Sequence, residues 1–359
     1  MVSPPCTAPN REYSMKTVYS PCHSLQKAEA ELMRGERVPT FETPRRAEMV
    51  LAAVEREFGE KTIAPRDFGI TPLAKVHDEE MLNFLSTFWE RWSAENRSVN
   101  AFPNVWPPRR SDESRTRRIG AELGRFCFDM SSPIMKGSWR AISASANVAL
   151  TAQELVSGGE NSAFALCRPP GHHAGRDYFG GYCFLNNAAA AAQGFRTAGA
   201  SKVAILDIDY HHGNGTQDIF YDRQDVLTVS IHADPTLEYP YYWGFADEKG
   251  QGTGQGFNLN LPLPIGTTFE GYSQMLDASL TRIAQFGAEV LVVSLGVDTY
   301  DGDPISKFKL GSGDFTRIGN AIARLRLPTL FVMEGGYAIA DIGINVVNVL
   351  AGYADASTG

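Results

Sequence analysis

The sequence predicts an α/β protein, three layers deep, with a largely parallel sheet covered by helices on both faces. Two observations predict it. From Trp139 onward, short runs that are apolar on both faces (SAFALC, KVAILDID, VLTVSIH, VLVVSLGVD, TLFVME) alternate with amphipathic stretches. Strands buried on both sides belong to parallel sheets whose crossover helices cover them. Four of these runs also finish on a titratable residue, Asp207, His232, Asp298 and Glu334, and open parallel sheets gather ligands beyond the carboxyl ends of their strands.

Taken in chain order, residues 1–14 are polar and Pro-rich and are expected to form a disordered extension, leaving a single domain over 15–359. KTVYS reads as the first strand. Arg45 to Phe58 puts Ala47, Val50, Leu51, Val54 and Phe58 on one helical face. A second amphipathic helix follows at Glu79 to Trp92. Residues 98–118 break the pattern: AFPNVWP leads into PPRRSDESRTRR, and helical patterning resumes directly afterwards, so the segment reads as an inserted arm within one domain. Helices are then expected to end near Val156, to span Asn187–Ala198, to start near Gly215, to span Tyr272–Phe286 and Phe315–Leu325, and to run on from Ile342. No internal repeat interrupts this order.

Composition excludes several classes. Over 359 residues, 43% hydrophobic and 21% charged content suffices for a large core and rules out a disordered chain, a fibre or a coiled coil. The formal charge of −8 argues against general binding to nucleic acid or to an anionic membrane, and mildly favours a cationic ligand. The five cysteines (Cys6, Cys22, Cys127, Cys167, Cys183) are odd in number and form no C-x-x-C pair, unlike a disulfide framework or a zinc ribbon. The start lacks the basic and apolar regions of a signal peptide, and no apolar run is long enough to span a bilayer, so the chain reads as cytoplasmic and reduced.

The chemistry gathers at strand ends. In extended chain, residues 207, 209 and 211 point to one side, so Asp207, Asp209 and His211 converge where VAIL ends. With Asp298 at the end of another strand, three mixed N/O donors suit a catalytic zinc that keeps a position open for water: Asp209, His211 and Asp298, with Asp207 behind them. The plainer alternative is that these acids cap the helices that follow. Upstream, RPPGHHAG puts His172 and His173 side by side in a loop fixed by Pro and Gly. One could serve as general base and the other as electrostatic catalyst or acid, an arrangement that predicts activity falling below neutral pH. An ordinary loop pair, or two further metal ligands, would leave the same trace. Glu334-Gly335-Gly336-Tyr337 lets the backbone turn sharply and present a phenol, a donor suited to the oxyanion of a tetrahedral intermediate. Together these features describe metal-assisted hydrolysis of an amide.

RPPGHH, GYCFLNNAA, ILDIDYHHGNGTQDIFY, SLGVDT and EGGY occur in the order found in the histone deacetylase superfamily. From about Met15 onward the chain most resembles the bacterial acetylpolyamine amidohydrolase branch, through AEAELMRGERVPTFETPRRAE and FGGYCFLNN. The resemblance implies the arginase–deacetylase fold, with a largely parallel eight-stranded sheet, and one zinc per subunit on Asp209, His211 and Asp298, with Fe2+ as the alternative cellular metal. It implies that Tyr337 polarises the acetyl carbonyl, that His172 and His173 are the tandem pair, and that Asp207 and Asn214 orient them. It further implies K+ held by Asp207, Asp209, His211, Ser230 and Ile231, largely through backbone oxygen, and a second K+ at Phe220, Arg223 and Val226. Arginases share the fold but bridge two manganese ions with carboxylates at positions that are Gly213 and Tyr300 here, so one metal is expected.

The same resemblance implies a tunnel lined by Gly181, Tyr182 and Tyr239, with Glu31 near its mouth to meet a distal ammonium. The 98–118 arm matches a loop through which this branch forms homodimers, with Phe102 and Trp106 as apolar anchors. One departure stands out. An acidic residue that relatives place just past the arm is Gly120 here, and the arm is rich in Arg109, Arg110, Arg115, Arg117 and Arg118. The expected activity is deacetylation of acetylated polyamines or diamines such as acetylputrescine, acetylcadaverine and acetylspermidine. A protein or peptide lysine deacetylase is the alternative within the enzyme class. A non-catalytic sensor of acetylated amines should have lost a catalytic group, whereas every matched position is intact.

Overall fold

The structure is a computed structural model that describes residues 15–33, 35–60 and 62–357; the expected disordered extension, residues 1–14, lies outside them. In chain order the elements are β1 (Lys16–Val18), β2 (Ala30–Met33), β3 (Glu36–Pro39), α1 (Pro44–Phe58), β4 (Thr62–Ile63), α2 (Glu79–Ala94), α3 (Ile119–Phe126), α4 (Ser138–Ser157), β5 (Ser162–Ala165), α5 (Asn187–Thr197), β6 (Val203–Asp207), α6 (Asn214–Phe220), β7 (Val226–Ala233), β8 (Asn258–Leu263), α7 (Phe269–Phe286), β9 (Val290–Leu295), α8 (Ser312–Ala323), β10 (Thr329–Met333) and α9 (Ile342–Ser357). The main sheet has eight strands in the order β4-β1-β5-β10-β9-β6-β7-β8, and every neighbouring pair is parallel. This is the three-layer, parallel, eight-stranded architecture that the sequence predicts.

Local chemistry sets the boundaries. Thr43 precedes α1 and Pro44 opens it, where a missing N–H costs nothing. Asp78 caps α2 by accepting from the Glu80 amide at 2.7 Å, and Asn186 caps α5 by accepting from the Ala189 amide at 2.9 Å. Gly287 ends α7 at φ +72°, a conformation that glycine adopts without strain.

Strand alternation divides the core in two. In β6, Ala204 and Leu206 pack on one face and Val203 and Ile205 on the other; in β9, Leu291, Val293 and Leu295 oppose Val292. α1, α7, α8 and α9 cover the first face, whereas α2, α3, α4 and α5 cover the second. Each such aliphatic side chain, fully buried, stabilises the fold by roughly 1.5–3 kcal/mol.

Register positions the site. Asp207 lies beside Ser294 of β9 and Ser230 of β7, and Met333 lies beside Leu295. The adjacent strands β10, β9 and β6 therefore end level, and β5, next to β10, runs on into the loop that bears the tandem histidines. The loops after these four strands meet at one edge of the sheet.

Four strands were not legible from hydrophobic pattern. β4 has two residues. β8 carries buried Asn258 and Asn260, so its inward face is polar. The β2–β3 hairpin takes up AEAEL, which contains Glu31. The 98–118 arm is held by an Ala101–Ile134 bridge and by Trp106, whose Nε1 donates to the Cys127 carbonyl at 2.8 Å. A Cβ at Gly124 would fall 1.7 Å from the Val105 carbonyl oxygen, so the arm lies directly on α3. Val99 and Val105 are exposed. No helix of the described residues is long and apolar enough to cross a membrane.

Candidate active site

The turn after β6 folds its own carboxylates into place. Asp207 Oδ1 accepts from the Asp209 amide at 3.1 Å, and Asp209 Oδ1 accepts from the His211 amide at 2.9 Å. From β9, Asp298 Oδ1 accepts from the Tyr210 amide at 2.8 Å. These bonds aim the free edges of Asp209, His211 and Asp298 at one another. His211 Nδ1 lies 3.2 Å from Asp209 Oδ1 and 3.0 Å from Asp298 Oδ2. One ligand atom from each of the three falls within 4.8 Å of the others, and all three residues are buried. Burial pushes the Asp298 carboxyl up to about 7, and the neighbouring Asp209 charge adds to that shift. Two like charges held this close in a dry interior call for a cation between them. Gly335 supplies the room: a Cβ there would sit 2.4 Å from Asp209 Oδ2 and 2.6 Å from Asp298 Oδ2. The donor set fits a single divalent metal with mixed N/O ligands.

The tandem histidines are distinguished by their partners. Their rings lie 4.0 Å apart between centroids. His172 Nδ1 meets Asp207 Oδ2 at 3.0 Å, whereas His173 Nδ1 meets Asn214 Oδ1 at 2.7 Å. Asn214 turns its amide nitrogen toward the Tyr178 hydroxyl, 3.3 Å away, which leaves its oxygen to accept from His173 Nδ1–H. His173 Nε2 is then a free acceptor. Burial lowers the pKa of His172, but the Asp209 and Asp207 carboxylates outweigh it and raise the value to about 10. Burial, with His172 and His211 as cationic neighbours, holds His173 well below the usual histidine range. The carboxylates thus favour a proton on His172, whereas burial disfavours one on His173.

Behind the pair, Glu334 Oε2 accepts from the amides of Gly171 and His172 at 2.6 and 3.2 Å, while its other oxygen is buried without a partner. His77, in neutral form, ties the Gly175 carbonyl to the Asn186 amide at 2.7 and 2.9 Å, bracing the far end of the same loop.

Tyr337 is held from two sides. Asp303 Oδ2 accepts from its amide at 2.7 Å. Arg46, on α1, donates to the carbonyls of Glu334 and Gly336 at 2.6 Å each and lies 4.6 Å over the phenol ring. Glu42 balances this guanidinium at 2.8 Å. Gly336 makes the turn at φ +128°. The pattern of α1 gave one hint of Arg46, a charged residue within the buried stripe; nothing marked Asp303.

The two aromatic walls flank this centre. Tyr182 lies 5.7 Å from Tyr337, and Tyr239 packs edge-on against His173 at 5.0 Å. Tyr182 adopts φ +66°, strained for a residue with a Cβ. At Gly181 a Cβ would meet His173 Cδ2 at 2.4 Å and the Tyr239 hydroxyl at 2.8 Å, so only glycine lets the wall approach the base. Glu31 stands next to Tyr182 but is 3% exposed. Its oxygens make no hydrogen bond of good geometry, and burial raises its pKa to about 7 even though the Tyr182 hydroxyl and the Phe41 amide favour the charged form.

The positions matched to potassium fall as follows. Ser230, on β7, is the direct neighbour of Asp207, with Ile231 following it. Phe220 ends α6, Val226 begins β7, and Arg223, in the turn between them, is paired to Asp225 at 2.7 Å.

The chain is similar to known proteins over most of its length. The model of the histone deacetylase domain matches residues 40–353. Acetylpolyamine amidohydrolase 2 of Pseudomonas aeruginosa is 53% identical over 94% of this chain and 98% of its own length. Acetylpolyamine amidohydrolase 1 of the same organism is 54% identical over 96% of this chain and 100% of its own. The crystal structure of an acetylpolyamine aminohydrolase from Burkholderia pseudomallei superposes with a TM-score of 0.91 at 42% identity, covering 96% of this chain and 99% of that one. The chain therefore belongs to the histone deacetylase family, in its acetylpolyamine amidohydrolase branch.

Proposed function

We propose that the protein hydrolyses the acetyl amide of acetylated polyamines or diamines, such as acetylputrescine, acetylcadaverine and acetylspermidine, to free amine and acetate. The observation that carries this reading is the meeting of three buried metal donors, a histidine paired to a carboxylate, a histidine paired to an amide oxygen and a phenol at the foot of a tyrosine-walled approach. Homologues named for acetylpolyamine amidohydrolysis over nearly the whole chain support it.

Asp209, His211 and Asp298 would hold one zinc ion, or Fe2+ in its place, and that ion supplies Lewis acidity toward the amide carbonyl and the attacking water. His173 Nε2 accepts a proton from the water as it attacks, and the Asn214 oxygen steadies the ring by accepting from Nδ1–H. His172, kept cationic by Asp207, favours the negative charge that develops on the substrate. The Tyr337 hydroxyl, fixed by Asp303 and Arg46, donates to the carbonyl oxygen. His173 then returns its proton to the leaving nitrogen, which departs as the amine. Tyr182 and Tyr239 pack against the methylenes of the amine. Potassium beside Asp207, Asp209, His211, Ser230 and Ile231 would brace the same turn through main-chain oxygens, and a homodimer through the 98–118 arm would narrow the entrance.

Metal removal tests the reading. Acetate release from N-acetylputrescine is expected to vanish on dialysis against a chelator and to return with one equivalent of zinc per chain. Full activity in metal-free protein, or a requirement for two equivalents, would contradict it.

A further inference from the structure

Asp129 lies beyond the metal donors and the tandem histidines, at the tyrosine walls. It follows α3 and is half-buried. Its Oδ2 accepts from the Gly181 amide at 2.9 Å, the Tyr239 hydroxyl at 2.9 Å and the Ser131 hydroxyl at 2.7 Å. Its Oδ1 accepts only from the Ser131 amide, at 3.0 Å. The Ser131 hydroxyl in turn accepts from the Tyr182 amide at 3.2 Å. One carboxylate therefore joins both walls of the approach, to Tyr239 through its hydroxyl and to Tyr182 through Gly181 and Ser131. Phe128, the preceding residue, stacks on the Tyr239 ring at 6.2 Å and fixes it from behind.

All four of these donor groups are uncharged, and Oδ1 keeps accepting capacity. Glu31, on the other side of Tyr182, is buried, and burial raises its pKa to about 7, so near neutral pH it is only partly ionised. An anion between aromatic walls distinguishes an amine that ends in an ammonium from a neutral chain of the same length.

Resting on the amidohydrolase reading, we infer that Asp129 is the specificity-determining residue that selects substrates with a distal ammonium, by fixing the spacing of Tyr182 and Tyr239 and presenting its charge between them. Asp129→Asn tests this, because the amide keeps the size and one accepting oxygen while losing the charge. The probes are N-acetylputrescine and N-pentylacetamide, in which a methyl group replaces the ammonium. In the wild type, kcat/KM should favour the cationic substrate. In the variant that ratio should fall tenfold or more, whatever loss in absolute rate both substrates share from the hydrogen bonds that the amide group can no longer accept. An unchanged ratio overturns the inference, whether both substrates fall together, as a purely structural role requires, or neither moves. A wild type that hydrolyses both amides without preferring the cation also overturns it while leaving the amidohydrolase reading intact. A wild type that hydrolyses neither removes both.

Discussion

Asp298→Ala is expected to abolish acetate release, to below about one part in a thousand of wild type, and to lose stoichiometric zinc in the same preparation. The expectation follows from the placement of the side chain. Asp298 Oδ1 is occupied by the Tyr210 amide, so Oδ2, 3.0 Å from His211 Nδ1, is the oxygen left for a metal. Loss of groups that merely orient ligands typically costs about 10–100-fold in metal affinity or activity, and a missing ligand should cost more. The variant also removes one of two mutually repelling buried carboxylates, so metal-free protein need not be destabilised. Elemental analysis and a thermal melt on one sample separate these effects. An inactive variant that retains one zinc per chain would contradict the ligand assignment.

His173→Ala is expected to lower kcat by about 10²–10⁴-fold, the usual contribution of a positioned general base, while leaving zinc content unchanged. Its pH dependence has a definite sign. The base must be neutral to act, and burial, with positive charge on His172 beside it, holds it well below the usual histidine range. A divalent cation held by His211 would take the place of that ring's positive charge and act in the same direction, since a nearby cation disfavours the imidazolium. The wild-type rate should therefore stay level as pH falls from 8 to about 6.5 and decline only at more acid values. This moves the acid limb below where the tandem motif alone places it. The motif carries no signal of the difference between Asp207 and Asn214 as partners, which separates the two rings. A decline centred at neutral pH, or a His173→Ala variant with wild-type kcat, would contradict the assignment.

Much of this was legible in the sequence because it rests on local pattern. VAILDID and VLVVSLGVD show both a buried parallel strand and the acid at its end, and a parallel sheet brings such ends to one edge. The eight-stranded count came from resemblance, since β4 is too short and β8 too polar on its inner face to register as hydrophobic runs. What escaped altogether was long-range support. Arg46 reaches Tyr337 from 291 positions away in the chain, and Asp303 and Asp129 act through backbone amides and a hydroxyl that no spacing rule connects to them. Glu31, which only the resemblance placed near the tunnel mouth, lies in the β2–β3 hairpin and is buried beside Tyr182, a setting that no pattern in AEAEL signals.

The most direct test of the central claim is acetate release by zinc-loaded protein from N-acetylputrescine, N-acetylcadaverine, acetylspermidine and an acetyl-lysine peptide, measured side by side. The account predicts that at least one free acetylated amine is preferred over the peptide by tenfold or more in kcat/KM, about 1.4 kcal/mol in transition-state binding. Equal or faster turnover of the peptide would contradict it and identify the chain as a protein or peptide lysine deacetylase working with the same catalytic residues.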